Sequence, residues 1–310
     1  MERIQAVPGV RVARISSDGR MHGDEDESVM ADADVLLLGT VPAAVLDHIV
    51  SRSPRLRWIH SASAGVDRIA TPAVRERGLV VTNARGVFSR PIGEYVVMMT
   101  LAIARRLPQL LELQRERTWQ PLRGRELSEL TVGIIGYGSI GLEVARLLAP
   151  FECRVLATRR HPERGPGEGI EVELFGLDRL NDVLGMSDVV VVAAPLTDET
   201  AGLIGAEQLS LMREDAWLIN IARGRLIDEL ALRRALEAGW IGGAVLDVFS
   251  EEPLPSDSPL YRTPNVVITP HTSWASDRVV ERTVDLFVDN LRRDASGEPL
   301  RNIVDLDAGY

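Results

Sequence analysis

The chain has 310 residues, enough for roughly two domains, each able to bury a core of its own. Its 45% hydrophobic and 26% charged residues are ordinary for a globular protein, and a net charge of -10 argues against nonspecific binding to nucleic acid or an anionic membrane. A single cysteine, Cys153, excludes an internal disulfide and a cysteine-built zinc site, so no metal is expected. The opening MERIQAVPGVRVARI lacks the apolar core of a signal peptide, and the longest apolar run, Val96 to Ala104, falls far short of the ~20 residues of a membrane helix. A cytoplasmic enzyme is the resulting expectation.

In chain order, short apolar and β-branched runs predict strands at Val35–Leu38, Arg57–Ser61, Val80–Thr82, Thr131–Ile135, Arg154–Thr158, Val189–Ala193, Ala216–Ile221, Gly243–Asp247 and Val266–Thr269. Their hydrophobicity is continuous rather than alternating, which points to strands covered on both faces of a parallel sheet. Helical patterns lie between them, at Ile92–Arg106, Ser139–Pro150 and Glu229–Ala238. This alternation predicts βαβ units and an α/β fold. A three-strand α/β pattern precedes the glycine-rich turn described next, which predicts one N-terminal α/β domain and a second domain inserted after it. The polar, Arg-rich stretch Gln114 to Leu127 reads as the crossing linker, and Pro162 to Gly169 reads as a loop.

The run Thr131-Val-Gly-Ile-Ile predicts a buried strand entering Gly136-x-Gly138-x-x-Gly141, which is followed by a helix-like stretch. The first glycine permits the turn, the second lets the backbone approach a pyrophosphate, and the third lets the helix pack on the strand. The helix N-terminus offers free N–H groups to phosphate. A glycine turn between a strand and a helix is far more specific than the bare pattern. Where NAD enzymes carry Asp or Glu after the second strand, this chain has Thr158-Arg159-Arg160. A carboxylate repels a 2′-phosphate, whereas a guanidinium grips it, so NADP is the expected cofactor, with NAD possible.

Further motifs each follow a predicted strand: Ser61-Ala-Ser-Ala-Gly65-Val-Asp67, Asn220-Ile-Ala-Arg223-Gly224, Leu246-Asp247-Val-Phe-Ser-Glu251-Glu252-Pro253 and Thr269-Pro270-His271-Thr-Ser-Trp274. Each therefore belongs at the carboxyl edge of a sheet, where open α/β folds bind ligands. Histidines 22, 48, 60 and 161 fall in no motif and are expected at the surface or in structural roles.

Taken together with VTNARGVFSRPIGEY, VGIIGYGSIG and PLTDETAGLIG, these motifs stand in the order found in the D-isomer-specific 2-hydroxyacid dehydrogenase family, which the chain resembles from about Asp34 to its end. The resemblance implies two doubly wound domains, a Rossmann cofactor domain inserted into a flavodoxin-like substrate domain, with residues 1–99 and 277–310 forming the substrate domain and 100–276 the dinucleotide-binding domain. It implies a catalytic set of Arg223, Glu252 and His271. In this set His271 protonates a ketone oxygen, Glu252 orients the imidazole, and Arg223 holds the carboxylate and carbonyl of a 2-oxo acid.

Cofactor contacts are implied at Ala64, Gly136, Gly138, Ser139, Ile140, Gly141, Thr158, Arg159, Arg160, Ala194, Pro195, Ile221, Ala222, Arg223, Asp247, His271 and Ser273. Substrate contacts are implied at Ala64, Gly65, Arg223, His271 and Trp274, with Gly65 presenting backbone amides to the carboxylate. The expected activity is NADPH-linked reduction of a small acid such as glyoxylate or hydroxypyruvate, by a homodimer formed through the cofactor domain. Two alternatives stand beside it: an NAD-linked dehydrogenase of a bulkier or phosphorylated acid, and a dinucleotide-sensing, corepressor-like protein, since such proteins share the fold and a tryptophan after the histidine.

Overall fold

The structure, a computed structural model, describes residues 2–21, 28–66 and 69–306. Two compact units divide the chain, residues 1–88 with 276–310 and residues 89–275. Among the described residues no helix is long and apolar enough to cross a membrane.

The first unit is built on three parallel strands in sequence order, β1 (Val35–Leu38), β2 (Trp58–Ser61) and β3 (Val80–Thr82). Alternation along β2 sends its side chains to two faces. Ile59 joins Leu38, Leu46, Val50 and Val81 on one face, which the helix Ala43–Arg52 covers. Trp58 joins Ile4, Val7, Phe287 and Leu291 on the other, where the returning helix Val279–Ser296 packs. Both faces are thus apolar, which is why these strands read as unbroken hydrophobic runs.

Of the histidines outside the motifs, His48 and His161 are exposed, and His22 lies outside the described residues. His60 is fully buried. Its Nδ1 lies 2.7 Å from Thr82 Oγ1, which also accepts the Trp58 indole N–H at 2.8 Å. Its Nε2 is buried with no hydrogen-bond partner among the described residues, and its ring lies 5.3 Å from that of Phe287. Burial pushes the His60 pKa down to about 4. The unfolded chain, with an ordinary histidine, binds this proton near pH 6.5. Stability from the neutral, buried imidazole is therefore full above pH ~6.5 and is lost as the pH falls toward 4. Urea unfolding of the whole protein should lose on the order of 2 kcal/mol more between pH 7 and 4.5 than a His60→Asn variant does. Equal losses in the two proteins would rule out His60 as the source.

The second unit holds seven parallel strands: β4 (Thr131–Ile135), β5 (Arg154–Thr158), β6 (Glu173–Phe175), β7 (Val189–Val192), β8 (Trp217–Asn220), β9 (Gly243–Leu246) and β10 (Val266–Ile268). Their order is β10-β9-β8-β7-β4-β5-β6. The chain starts at β4, steps outward to β5 and β6, then returns to β7 on the other side of β4. This reversal leaves a crevice at the carboxyl ends of β4 and β7, the place where doubly wound sheets bind ligands.

Two expectations about domain organisation need correction. The boundary falls at residue 88/89, not 99/100, because the helix Ser89–Ala104 packs on the helix Ser139–Leu148. A Cβ on Gly93 would stand 2.8 Å from Leu147 Cδ1. Arg90 ties the two helices through Glu143 (3.2 Å), and it also pairs with Glu94 on its own helix (2.6 Å). The second correction concerns Gln114 to Leu127, which lies inside the second unit and links nothing across it. Arg125 pins this stretch to the sheet by pairing at 2.7 Å with Asp188, whose other oxygen accepts the Thr131 N–H at the start of β4.

Candidate active site

β4 runs straight into the glycine turn. Gly136 has φ +100°, and a Cβ there would stand 2.5 Å from the backbone N and Cα of Ala194, so only glycine lets β4 and β7 end side by side. The backbone N–H groups of Gly136 and Tyr137 both donate to the carbonyl of Thr158, at 3.2 and 2.8 Å. The helix Ser139–Leu148 then opens with no side-chain cap. Helix geometry leaves the N–H groups around Ser139, Ile140 and Gly141 without partners inside the helix. A Cβ on Gly138 would meet nothing within 4 Å, so this face of the turn is open to an incoming group. Unpaired N–H groups, a dipole end and an open glycine face fit a pyrophosphate.

The end of β5 separates three residues that the sequence treats as one set. Thr158 is fully buried, and its hydroxyl accepts the Gly136 N–H at 3.3 Å. It braces the turn from beneath. Arg160 is exposed and pairs with Glu199 at 3.0 Å. Arg159 has no carboxylate partner among the described residues; it donates to the Gly165 carbonyl at 2.9 Å. Of the three, Arg159 alone keeps the uncompensated charge expected of a phosphate ligand.

At the end of β8, Asn220 is buried and organises the next turn. Its Oδ1 accepts the Ala222 N–H at 3.1 Å, and its Nδ2 donates to the Arg223 carbonyl at 3.0 Å. Arg223 is half-buried and donates from Nη1 to the Ala222 carbonyl at 2.8 Å. A Cβ on Gly224 would stand 1.9 Å from the Phe249 carbonyl carbon, so the arginine turn rests directly on the loop after β9. That loop carries Glu252, whose Oε1 accepts the Phe249 N–H at 2.9 Å. Its Oε2 lies 2.7 Å from His271 Nδ1. The expected glutamate–histidine pair is thus formed, with both side chains partly exposed.

His271 follows β10 with φ +49°, a left-handed backbone unusual for a side-chain-bearing residue. Asp247, at the end of β9, holds it there. The backbone carbonyl of Asp247 accepts the His271 N–H at 2.8 Å. Its carboxylate accepts Thr269 Oγ1 at 2.5 Å and the N–H groups of Thr272 and Ser273 at 2.9 Å each. Thr269 Oγ1 also lies 2.7 Å from the Tyr95 hydroxyl. Asp247 is fully buried. Its carboxylate accepts the Ser273 amide N–H, which helps fix the loop after His271.

The carboxyl ends of six neighbouring strands therefore carry Gly136, Thr158, Ala194 with Pro195, Ile221 with Ala222, Asp247, and His271 with Trp274. Ile221 is buried, while Pro195 and Trp274 are exposed. Ala64 and Gly65 belong to the first unit, at the end of β2, where the Ala64 carbonyl accepts Asn83 Nδ2 at 2.7 Å. Asp67 of the same motif lies outside the described residues. Sequence reasoning missed Asn220, Thr269, Tyr95 and Asn83. One signal was available: a single polar residue closing an apolar strand must find partners when buried, as Asn220 and Thr269 do.

A doubly wound parallel sheet with this turn at its switch point is a Rossmann dinucleotide-binding domain. Residues 97–273 match the sequence model of the "D-isomer specific 2-hydroxyacid dehydrogenase, NAD binding domain" family. A glyoxylate reductase of Thermofilum pendens is 34% identical over 96% of this chain and 91% of its own length. A D-3-phosphoglycerate dehydrogenase of Archaeoglobus fulgidus is 38% identical over 83% of this chain, which spans only 49% of that relative. The crystal structure of a D-isomer specific 2-hydroxyacid dehydrogenase from Xanthobacter autotrophicus Py2, in complex with NADPH and MES, superposes with a TM-score of 0.87 at 33% identity, covering 99% of this chain and 94% of that one. The chain belongs to the D-isomer-specific 2-hydroxyacid dehydrogenase family.

Proposed function

We propose that the protein reduces a small 2-oxo acid, of the glyoxylate or hydroxypyruvate kind, to the D-2-hydroxy acid with NADPH. The 2.7 Å contact between His271 Nδ1 and Glu252 carries this reading. With Nδ1 held by the glutamate, Nε2 is the ring atom left to exchange a proton with the ketone oxygen. Arg223 grips the substrate carboxylate and steadies the charge that develops on that oxygen. A bound nicotinamide supplies the hydride. Asp247 and Thr269 act through the backbone by aiming the His271 loop. The Thermofilum relative supports the substrate class, and the Archaeoglobus relative favours a second reading with a phosphorylated 2-oxo acid.

The NADPH preference rests on Arg159, which stands where NAD-specific domains place an acid. The test is turnover with NADPH and NADH across a panel of 2-oxo acids, including a phosphorylated one. Glyoxylate or hydroxypyruvate with NADPH should give the highest kcat/KM, and Arg159→Ala should raise the NADPH KM at least tenfold more than the NADH KM. Absence of turnover with every pair would leave the dinucleotide-sensing reading, and equal efficiency with the two cofactors would remove the preference.

We further propose a homodimer through the second unit. An apolar groove there is lined by Met98, Leu101, Leu107, Leu110, Leu147 and Phe151, and Met98, Leu107 and Leu111 are each about half exposed. Such contiguous apolar surface marks an interaction site. Light scattering should report the mass of two chains, falling to one in Met98→Glu; a monomeric wild type would refute the dimer.

A further inference from the structure

We propose that Tyr137, the second residue of the glycine turn, is a positioning residue for cofactor selection: it holds the Arg159 guanidinium where a 2′-phosphate would lie. The inference deepens the NADPH reading above and rests on it. Tyr137 is 5% exposed, although its position in the turn imposes no need for an aromatic side chain. Its hydroxyl donates to the Pro166 carbonyl at 2.9 Å. The Arg159 guanidinium carbon stands 5.9 Å from the centre of its ring, within cation–π range. Arg159 Nη1 donates to the Gly165 carbonyl at 2.9 Å. Two neighbouring carbonyls of one loop are therefore gripped from the ends of two neighbouring strands, by the tyrosine after β4 and the arginine after β5. The loop, the ring and the guanidinium form one clasp.

The physical gain is preorganisation. A free arginine loses rotamer entropy when it closes on an anion. One already tethered at Nη1 and lying over a ring has lost most of that freedom, and its remaining N–H groups stay available. Arg160, one residue on, shows the contrast: it is exposed and bound to Glu199. The backbone N–H of Tyr137 has a separate task, donating to Thr158, so replacing the side chain leaves the turn's own hydrogen bonds in place.

The test is calorimetric titration of the whole protein with 2′,5′-ADP and with 5′-AMP, for wild type, Tyr137→Leu, Tyr137→Phe and Arg159→Ala. Tyr137→Leu removes both ring and tether and should weaken 2′,5′-ADP about tenfold with less than a twofold change for 5′-AMP. Tyr137→Phe keeps the ring and should weaken 2′,5′-ADP about threefold. The KM for NADPH should rise in the same order while that for NADH holds. Equal weakening of both ligands by Tyr137→Leu, or no weakening, overturns the positioning role. Should the leucine variant fail to fold, the phenylalanine variant decides by the same selective loss. If Arg159→Ala abolishes 2′-phosphate discrimination and the tyrosine variants do not, the Tyr137 inference alone fails. If Arg159→Ala changes nothing, the NADPH reading fails with it.

Discussion

Glutamine in place of His271 should lower kcat for 2-oxo acid reduction by about 10²–10⁴-fold, the usual worth of a positioned general acid. Glutamine can hydrogen-bond to Glu252 but cannot release a proton on demand. The geometry concentrates the whole effect on one atom, because Nδ1 is committed at 2.7 Å to a carboxylate that Phe249 N–H also holds. Stopped-flow measurement of NADPH consumption would read the loss, and dinucleotide affinity should move less than threefold, since the glycine turn is untouched. A variant retaining a tenth of the wild-type rate would show that the proton comes from elsewhere.

A second large loss is expected from Arg223→Lys, about 10²–10³-fold in kcat/KM for the 2-oxo acid. Charge is conserved in this substitution, and the planar fork that matches a carboxylate is not. The lysine also loses the Nη1 bond to the Ala222 carbonyl that steadies the side chain. Gly224 next door, whose absent Cβ would collide with Phe249, keeps the main chain in place, so the loss should register in both KM and kcat with little change in stability. A change below fivefold would mean that Arg223 does not hold the substrate.

Much of the fold was legible because buried parallel strands advertise themselves. Val35–Leu38, Val80–Thr82, Thr131–Ile135 and Arg154–Thr158 form strands over the predicted residues. The predicted runs extend one residue beyond the strands at Ala216 and Ala193, both apolar and both still bonded to a neighbouring segment, Ala193 N–H to the Ile135 carbonyl and the Ala216 carbonyl to Gly242 N–H. β6 escaped notice because an edge strand of three residues beginning with Glu173 carries almost no pattern. The helix starts at Ser89, three residues ahead of the predicted Ile92, with Pro91 in its first turn, where a missing N–H is tolerated.

At the site, the motif order brought out Arg223, Glu252 and His271, and the structure pairs the last two. The supporting residues were harder to read. Asp247 and Asn220 work through backbone groups of segments that meet only in the folded sheet, and no spacing in the sequence encodes those meetings. Thr158 and Asp247 close their strands fully buried, and the protein groups their side chains bond to cannot be read from any spacing in the sequence.

The strand order has a consequence for how activity arises during synthesis. Arg223 leaves β8, Glu252 leaves β9, and His271 waits for β10, the last strand in the sequence and the edge of the sheet. A nascent chain whose first 250 residues have emerged would own a complete phosphate cradle and an arginine, yet no acid and no partner to aim it. During synthesis dinucleotide affinity should therefore appear before turnover, and turnover itself serves as a reporter that the outermost strand has docked.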